Sequence, residues 1–215
     1  MCDVLLEKID SNPTFLESLI FSDESTFRLD GTVNRHNCRI WGLEKPKETH
    51  ESSQSSPKVN VWMGLSADQI YGPFFFEENI NGEAYLNMLR TCFIPSLQPR
   101  TLSNCIFQQD GAPAHFARPV RQFLDETFPG RWLGRCGPLI WSARSPNLSA
   151  MDFFLWGHLK TQVYFKKTET IQQLKDAICE EAAKITREMC QNAIQEFKRR
   201  LARCLGVSGA NVEHC

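Results

Sequence analysis

CIFQQD, residues 105–110, runs from the apolar stretch Cys105-Ile106-Phe107 through two glutamines into Asp110. A short apolar run bounded by polar residues reads as a buried strand. The same shape occurs near the start of the chain, where Leu19-Ile20-Phe21 runs into Ser22-Asp23-Glu24. Each stretch predicts a core strand that ends in an acid. In an open sheet, the carboxyl ends of strands are where ligands gather, so two such acids on adjacent strands would face one crevice.

Between these two stretches the pattern is that of strands. Thr26 to Leu29 predicts a second short strand, with Asp30-Gly31 as a hairpin-type turn. THESSQSSP (49–57) is polar and serine-rich, hence a loop. Val59, Val61, Met63 and Leu65 then alternate with Lys58, Asn60, Trp62 and Gly64, which is strand periodicity. Ile70 to Phe76 predicts another strand, interrupted at Gly72-Pro73. The first third therefore reads as an antiparallel meander.

Helical spacing takes over at residues 82–95, through Tyr85, Leu86, Leu89 and Phe93. After Asp110 a helix is predicted with Phe116, Val120, Phe123 and Leu124 on one face, and Leu139-Ile140-Trp141 gives a further core strand. A loop with Pro146 leads to a helix from about Met151 to Val163, which Asp152 opens. Ile171, Leu174, Ile178, Ile185 and Met189 form one apolar stripe, with Thr170 and Gln173 as a capping box. Ile194, Phe197, Leu201 and Leu205 form the stripe of a last helix that stops near Gly206. Strands followed by strand–helix alternation predict a mixed α/β sheet with helices on its faces. Residues 1–15 read as a helical leader and 16–215 as one domain.

Composition narrows the function classes. The chain has 215 residues, 42% hydrophobic and 23% charged, close to a soluble globular average. No apolar run is long enough to span a membrane, and acids in the first twenty residues exclude a signal peptide. The expected protein is soluble and intracellular, with no membrane partner. Its nine cysteines are odd in number and lack zinc-knuckle spacing, so reduced thiols are expected. The net charge of -1 argues against a simple nucleic-acid-binding protein. The basic residues are bunched, however, at Arg131, Arg135 and Arg144 and at Lys198, Arg199, Arg200 and Arg203.

Asp23 and Asp110 at strand ends and Asp152 at a helix start form a candidate set of three carboxylates. Such a set is self-repelling unless a cation sits within it. Mg²⁺ suits hard oxygen ligands and leaves room for water and phosphate, and two such ions form the clamp for in-line displacement at phosphorus. A lone Asp at a strand end is more often a turn former or a cap, so placement alone does not decide the matter.

The words around the acids do. FSDESTF (21–27), FQQDGAPAHF (107–116) and RSPNLSAMDFFLWGHLK (144–160) resemble, in order, the three catalytic motifs of mariner-superfamily transposases. VNRHNCRIWG (33–42), VNVWMGL (59–65) and GPFFFEENINGEAYLNML (72–89) resemble their inter-motif segments. The resemblance runs from about Phe15 to the end of the chain. It implies a ribonuclease-H-like fold, with a mixed five-stranded sheet flanked by helices and followed by C-terminal helices. It implies a DDE/D-type catalytic domain that cuts and joins DNA with two Mg²⁺ or Mn²⁺ ions, as a homodimer in its active complex, in the nucleus. The catalytic and metal-binding acids fall on Asp23, Asp110 and Asp152; His115 and Arg144 fall at positions that support the site or contact DNA, with a simple helix cap as the alternative role for His115. Glu24, on the opposite side of its strand, is not expected to be a ligand. The nucleophile is water or a 3′-hydroxyl, so no protein nucleophile is required.

Two departures from the family pattern stand out. Its third motif reads like PPRSPDLTPLD, where this chain has SARSPNLSAMD: Asn147 replaces an acid, and Ser142, Ala143 and Ala150 replace prolines. A proline at 150 would preset the first turn of the helix carrying Asp152. Family members also carry paired helix-turn-helix modules ahead of the catalytic domain, and here only about twenty residues precede the first motif. The alternative expectation is therefore a truncated or domesticated remnant that binds DNA or a partner with little catalysis.

Overall fold

The computed structural model describes residues 1–31, 56–142 and 145–206. The segment VNRHNCRIWG, most of the serine-rich loop and Arg144 lie outside the described residues.

The sheet has six strands in the order β3-β2-β1-β4-β5-β6. β1 (Leu19–Arg28), β2 (Lys58–Leu65) and β3 (Ile70–Phe76) form the expected antiparallel meander. β4 (Ile106–Gln108), β5 (Trp132–Gly134) and β6 (Leu139–Ile140) continue the sheet in parallel. The sheet is mixed, as expected, but has six strands rather than five. β5 escaped the sequence reading because a three-residue strand carries no measurable periodicity, although Trp132 and Leu133 are fully buried.

The two strands expected at Leu19–Phe21 and Thr26–Leu29 are one. β1 runs unbroken through Ser22-Asp23-Glu24-Ser25, because β2 pairs with it from Phe21↔Leu65 to Arg28↔Lys58. The polar residues therefore find backbone partners along one edge, and no turn is needed. Asp23 sits within the strand, not at its end. Gly31, at φ 71, closes the turn expected after it.

Strand alternation divides the interior into two cores. Ile20, Trp62, Phe107 and Trp132 pack on one face with Tyr85, Leu89, Phe93, Val120 and Leu124. These come from α3 (Gly82–Met88), the π-helical turn Leu89–Phe93 and α6 (Arg118–Thr127); the short helices α4 (Ile94–Ser96) and α5 (Pro99–Asn104) lead into β4. Phe21, Phe27, Val61, Met63 and Leu133 face the other way, against α7 (Trp156–Phe165), α8 (Ile171–Ala183) and α9 (Arg187–Gly206). The N-terminal α1 (Cys2–Ser11) adds Cys2, Leu5 and Ile9 to this second core, and α2 (Phe15–Ser18) leads from it into β1.

Two helix expectations are corrected. Phe116 is 38% exposed and precedes α6. Ala117 has extended backbone, and Pro119 in the first turn favours a start at Arg118. The stripe from Ile171 to Met189 is not one helix: the chain breaks after Lys184, and Ile185 lies between α8 and α9. Its start is as expected, with both hydrogen bonds of the Thr170–Gln173 capping box formed.

Candidate active site

Parallel register sets two of the acids level. Phe21 of β1 pairs with Gln108 of β4, and Asp23 and Asp110 each lie two residues further on. Side chains two apart on a strand share a face. β4 ends at Gln108 while β1 continues, so a crevice opens at this point. Asp152 arrives from a separate element, the π-helical turn Met151–Leu155 that leads into α7. Asp23, Asp110 and Asp152 line one cavity of about 480 Å³, together with Gln108, Trp141 and Ser149.

The loop before Asp152 is anchored by buried Leu148, Ala150 and Met151. The Ser149 carbonyl accepts from the backbone N–H groups of Asp152 and Phe153, both at 3.1 Å. Arg200, from α9, donates to the Asn147 carbonyl at 3.0 Å and lies 4.2 Å over the Phe153 ring. Sequence reading saw Arg200 only as part of a charge cluster. Its role as a brace depends on α9 crossing this loop.

Two side chains that hold the acids were not singled out from the sequence. Trp156 Nε1 donates to Asp23 Oδ2 at 2.8 Å. Glu24 faces away from Asp23, as alternation requires, and its Oε1 lies 3.0 Å from His115 Nε2. His115 Nδ1 in turn lies 2.6 Å from Asp110 Oδ1, as an ion-pair contact off the N–H axis. Asp110 also accepts from the Ala112 N–H at 2.9 Å. His115 is buried, 4.1 Å from the Tyr85 ring between centroids, and its carbonyl accepts from Gln109 Nε2. It does not cap α6, whose N-cap is Ala117.

The electrostatics separate the three acids. Burial raises the pKa of Asp23 well above the ordinary carboxylate value; the charges of Glu24, Asp152 and Asp110 add to this, and the Trp156 bond opposes it. Burial also pushes Asp152 up to about 6, against a hydrogen bond from Ser149 and the charge of Lys160, with Asp110 adding to the rise. For Asp110, burial is outweighed by His115 and the Ala112 N–H, and its pKa is lowered. Burial would lower His115, but Glu24 and Asp110 raise it to about 10, so it is an imidazolium. Lys160 was also missed: burial lowers its pKa against the pull of Asp23 and Asp152.

Three hard oxygen donors that repel one another in one crevice fit a divalent cation. Among the described residues, no group of three or more His, Cys, Asp or Glu side chains is placed so that it could hold a metal ion. The acids instead line an open cavity, which suits an ion that keeps water and phosphate in its coordination shell. In metal-free solution, Asp23→Asn is expected to raise Tm by about 2–4 °C, the response of a domain this size to roughly 1 kcal/mol of relieved desolvation and repulsion. A lower Tm in a thermal melt would mean that the charge on Asp23 is compensated without metal.

The model of the DDE superfamily endonuclease family matches residues 18–175. No curated relative matches the chain. Solved structures match over nearly its whole length. A pre-cleavage Mos1 transpososome gives a TM-score of 0.78 at 20% identity, covering 98% of this chain and 61% of that one. The Mos1 transposase catalytic domain with raltegravir and Mg gives 0.74 at 19% identity, covering 98% and 92%. The catalytic domain of Mos1 mariner transposase gives 0.72 at 20% identity, covering 97% and 90%. The chain thus spans about three fifths of the transpososome protein and nearly all of its catalytic domain. With the family model covering most of the chain and the ribonuclease-H-like architecture shared throughout, this protein belongs to the DDE superfamily endonucleases.

Proposed function

We propose that this chain is the catalytic domain of a mariner-type cut-and-paste transposase, which cleaves DNA strands and transfers their 3′ ends. The observation that carries the reading is the level placement of Asp23 and Asp110 on adjacent parallel strands, with Asp152 lining the same cavity. Asp23, Asp110 and Asp152 would hold two Mg²⁺ or Mn²⁺ ions, which supply Lewis-acid activation of water or a 3′-hydroxyl and neutralise charge on the leaving oxygen. Trp156 orients Asp23. His115, held by Glu24, fixes Asp110 and keeps it ionised. Ser149 and the Arg200 brace position Asp152. No side chain acts as nucleophile.

The similar Mos1 structures include one with Mn, one with Mg, a paired-end complex with the left transposon end, and a strand transfer complex. By that likeness we assign DNA ends and target DNA as substrates, a homodimer as the active form, and the nucleus as the working compartment. Among the described residues, no helix is long and apolar enough to cross a membrane. Residues 16–215 would form the catalytic unit, with 1–15 as its leader; recognition of transposon ends would reside elsewhere.

The test is nicking of supercoiled plasmid by the purified chain in Mg²⁺ or Mn²⁺. Activity in EDTA, or none in either metal, would defeat the reading. The drifted third motif favours a second reading, a catalytically weak remnant. Ala150 already has φ -61, and Ser149 before it has φ -82 and ψ 121, the extended geometry that a following proline requires. Asn147→Asp with Ala150→Pro is therefore expected to be accommodated and to raise nicking several-fold by stiffening the approach to Asp152. Unchanged nicking would show that this loop does not limit the rate.

A further inference from the structure

Asp110 faces a second feature besides the acid cavity. It lines a shallow crevice with Phe116, Arg121, Arg135, Trp132 and His115. Phe116 is 38% exposed, although an aromatic ring of this size is normally withdrawn from water. Two guanidinium groups lie over its ring, Arg121 at 4.7 Å and Arg135 at 4.9 Å from the centroid. Arg121 is held in place by donating from Nε to the Phe116 carbonyl at 3.2 Å. Among the described residues, neither arginine has a carboxylate partner, whereas Arg199 and Arg203 on α9 both lie within 4 Å of Glu196. An exposed ring flanked by two uncompensated arginines does nothing for the core. It is a surface of cation and π-face, the combination that grips unpaired nucleic acid through base stacking and phosphate contact.

We propose that Phe116, Arg121 and Arg135 form a binding site for an unpaired DNA strand immediately beside the catalytic acids. A base stacks on the platform made by Phe116 and the guanidinium planes laid over it, and the N–H edges of the two arginines take the flanking phosphates. This inference deepens the transposase reading and rests on it. Asp110 lines both the crevice and the acid cavity, so a strand held on Phe116 leads directly to the acids. A stacking platform at this position would stabilise a strand that frays beside the acids.

The test is fluorescence anisotropy of a labelled 20-nucleotide single strand and the matching duplex, in EDTA, across a salt series. Phe116→Ala is expected to weaken single-strand binding about fivefold or more, the low end of the loss of one base–aromatic stack, with little change for duplex. Arg121→Gln with Arg135→Gln is expected to reduce the slope of log affinity against log salt by about 1.4, the release of two phosphate contacts. Arg199→Gln with Arg203→Gln removes the same charge from α9 and is expected to leave the slope unchanged. Asp110→Asn removes a negative charge from the crevice lining and is expected to bind at least as tightly as wild type while losing nicking, which separates failure of this site from failure of the catalytic reading. No single-strand binding by wild type, equal binding by Phe116→Ala, or an equal slope change from the α9 pair would each overturn the proposal.

Discussion

Replacing Asp110 with Asn is expected to reduce metal-dependent nicking of supercoiled plasmid by about 100-fold or more, while the protein stays folded. The substitution keeps size and shape, and the Asn oxygen can still accept from the Ala112 N–H, which lies 2.9 Å from Asp110 Oδ1. What is lost is one negative charge between two proposed cations, together with the ion-pair contact to His115. A deficit of about 3 kcal/mol in holding the developing charge corresponds to roughly two orders of magnitude in rate. His115 keeps Glu24 as a partner at 3.0 Å, so the buried imidazolium is not orphaned and Tm should move by only about 2–4 °C. Nicking equal to wild type would show that the cleavage comes from another site or a contaminant, and the carboxylate mechanism would fall.

The second large effect is at Trp156. Its indole is buried, packs edge-on against Phe27 at 6.3 Å, and donates the hydrogen bond to Asp23. Trp156→Ala creates a cavity in the second core and is expected to cost about 3–5 kcal/mol, lowering Tm by roughly 10 °C. Trp156→Phe separates packing from orientation. It retains most of the ring but leaves Asp23 without its donor. A hydrogen bond to a charged group contributes about 1.5–3 kcal/mol, so nicking should fall roughly 10- to 100-fold with only a modest change in Tm. Wild-type nicking by Trp156→Phe would reduce the indole to a core residue with no part in positioning Asp23.

The fold was legible where periodicity was long enough to measure. β2 and the two C-terminal stripes show it over seven or more residues, and the Thr170–Gln173 cap is local chemistry that forms as written. Legibility failed where the deciding partner is remote. The polar word Ser22-Asp23-Glu24-Ser25 reads as the end of a strand, and only the long pairing with β2 carries β1 through it. Trp132–Gly134 has no period of its own, and becomes a strand because β4 and β6 offer it hydrogen-bonding edges. The break after Lys184 is invisible in the apolar stripe, because the same residues serve two successive helices on one face of the sheet.

For the candidate site, the sequence by itself supplied the candidates: three acids in three words, a histidine five residues after the second, and hard oxygen ligands as the expected chemistry. Motif resemblance reaches that far because side-chain type is local information. Only the tertiary structure decided which groups support those acids. Glu24 meets His115, 91 positions away, and Trp156 meets Asp23, 133 positions away. Neither pairing has a local signature, since each arises where a strand face turns toward an element from elsewhere in the chain. The opposite pKa shifts of Asp110 and Asp152 have the same origin: identical side chains in one cavity, one beside a buried imidazolium and the other without it. Burial and neighbouring charge set these values, and both are properties of the assembled fold rather than of the residue.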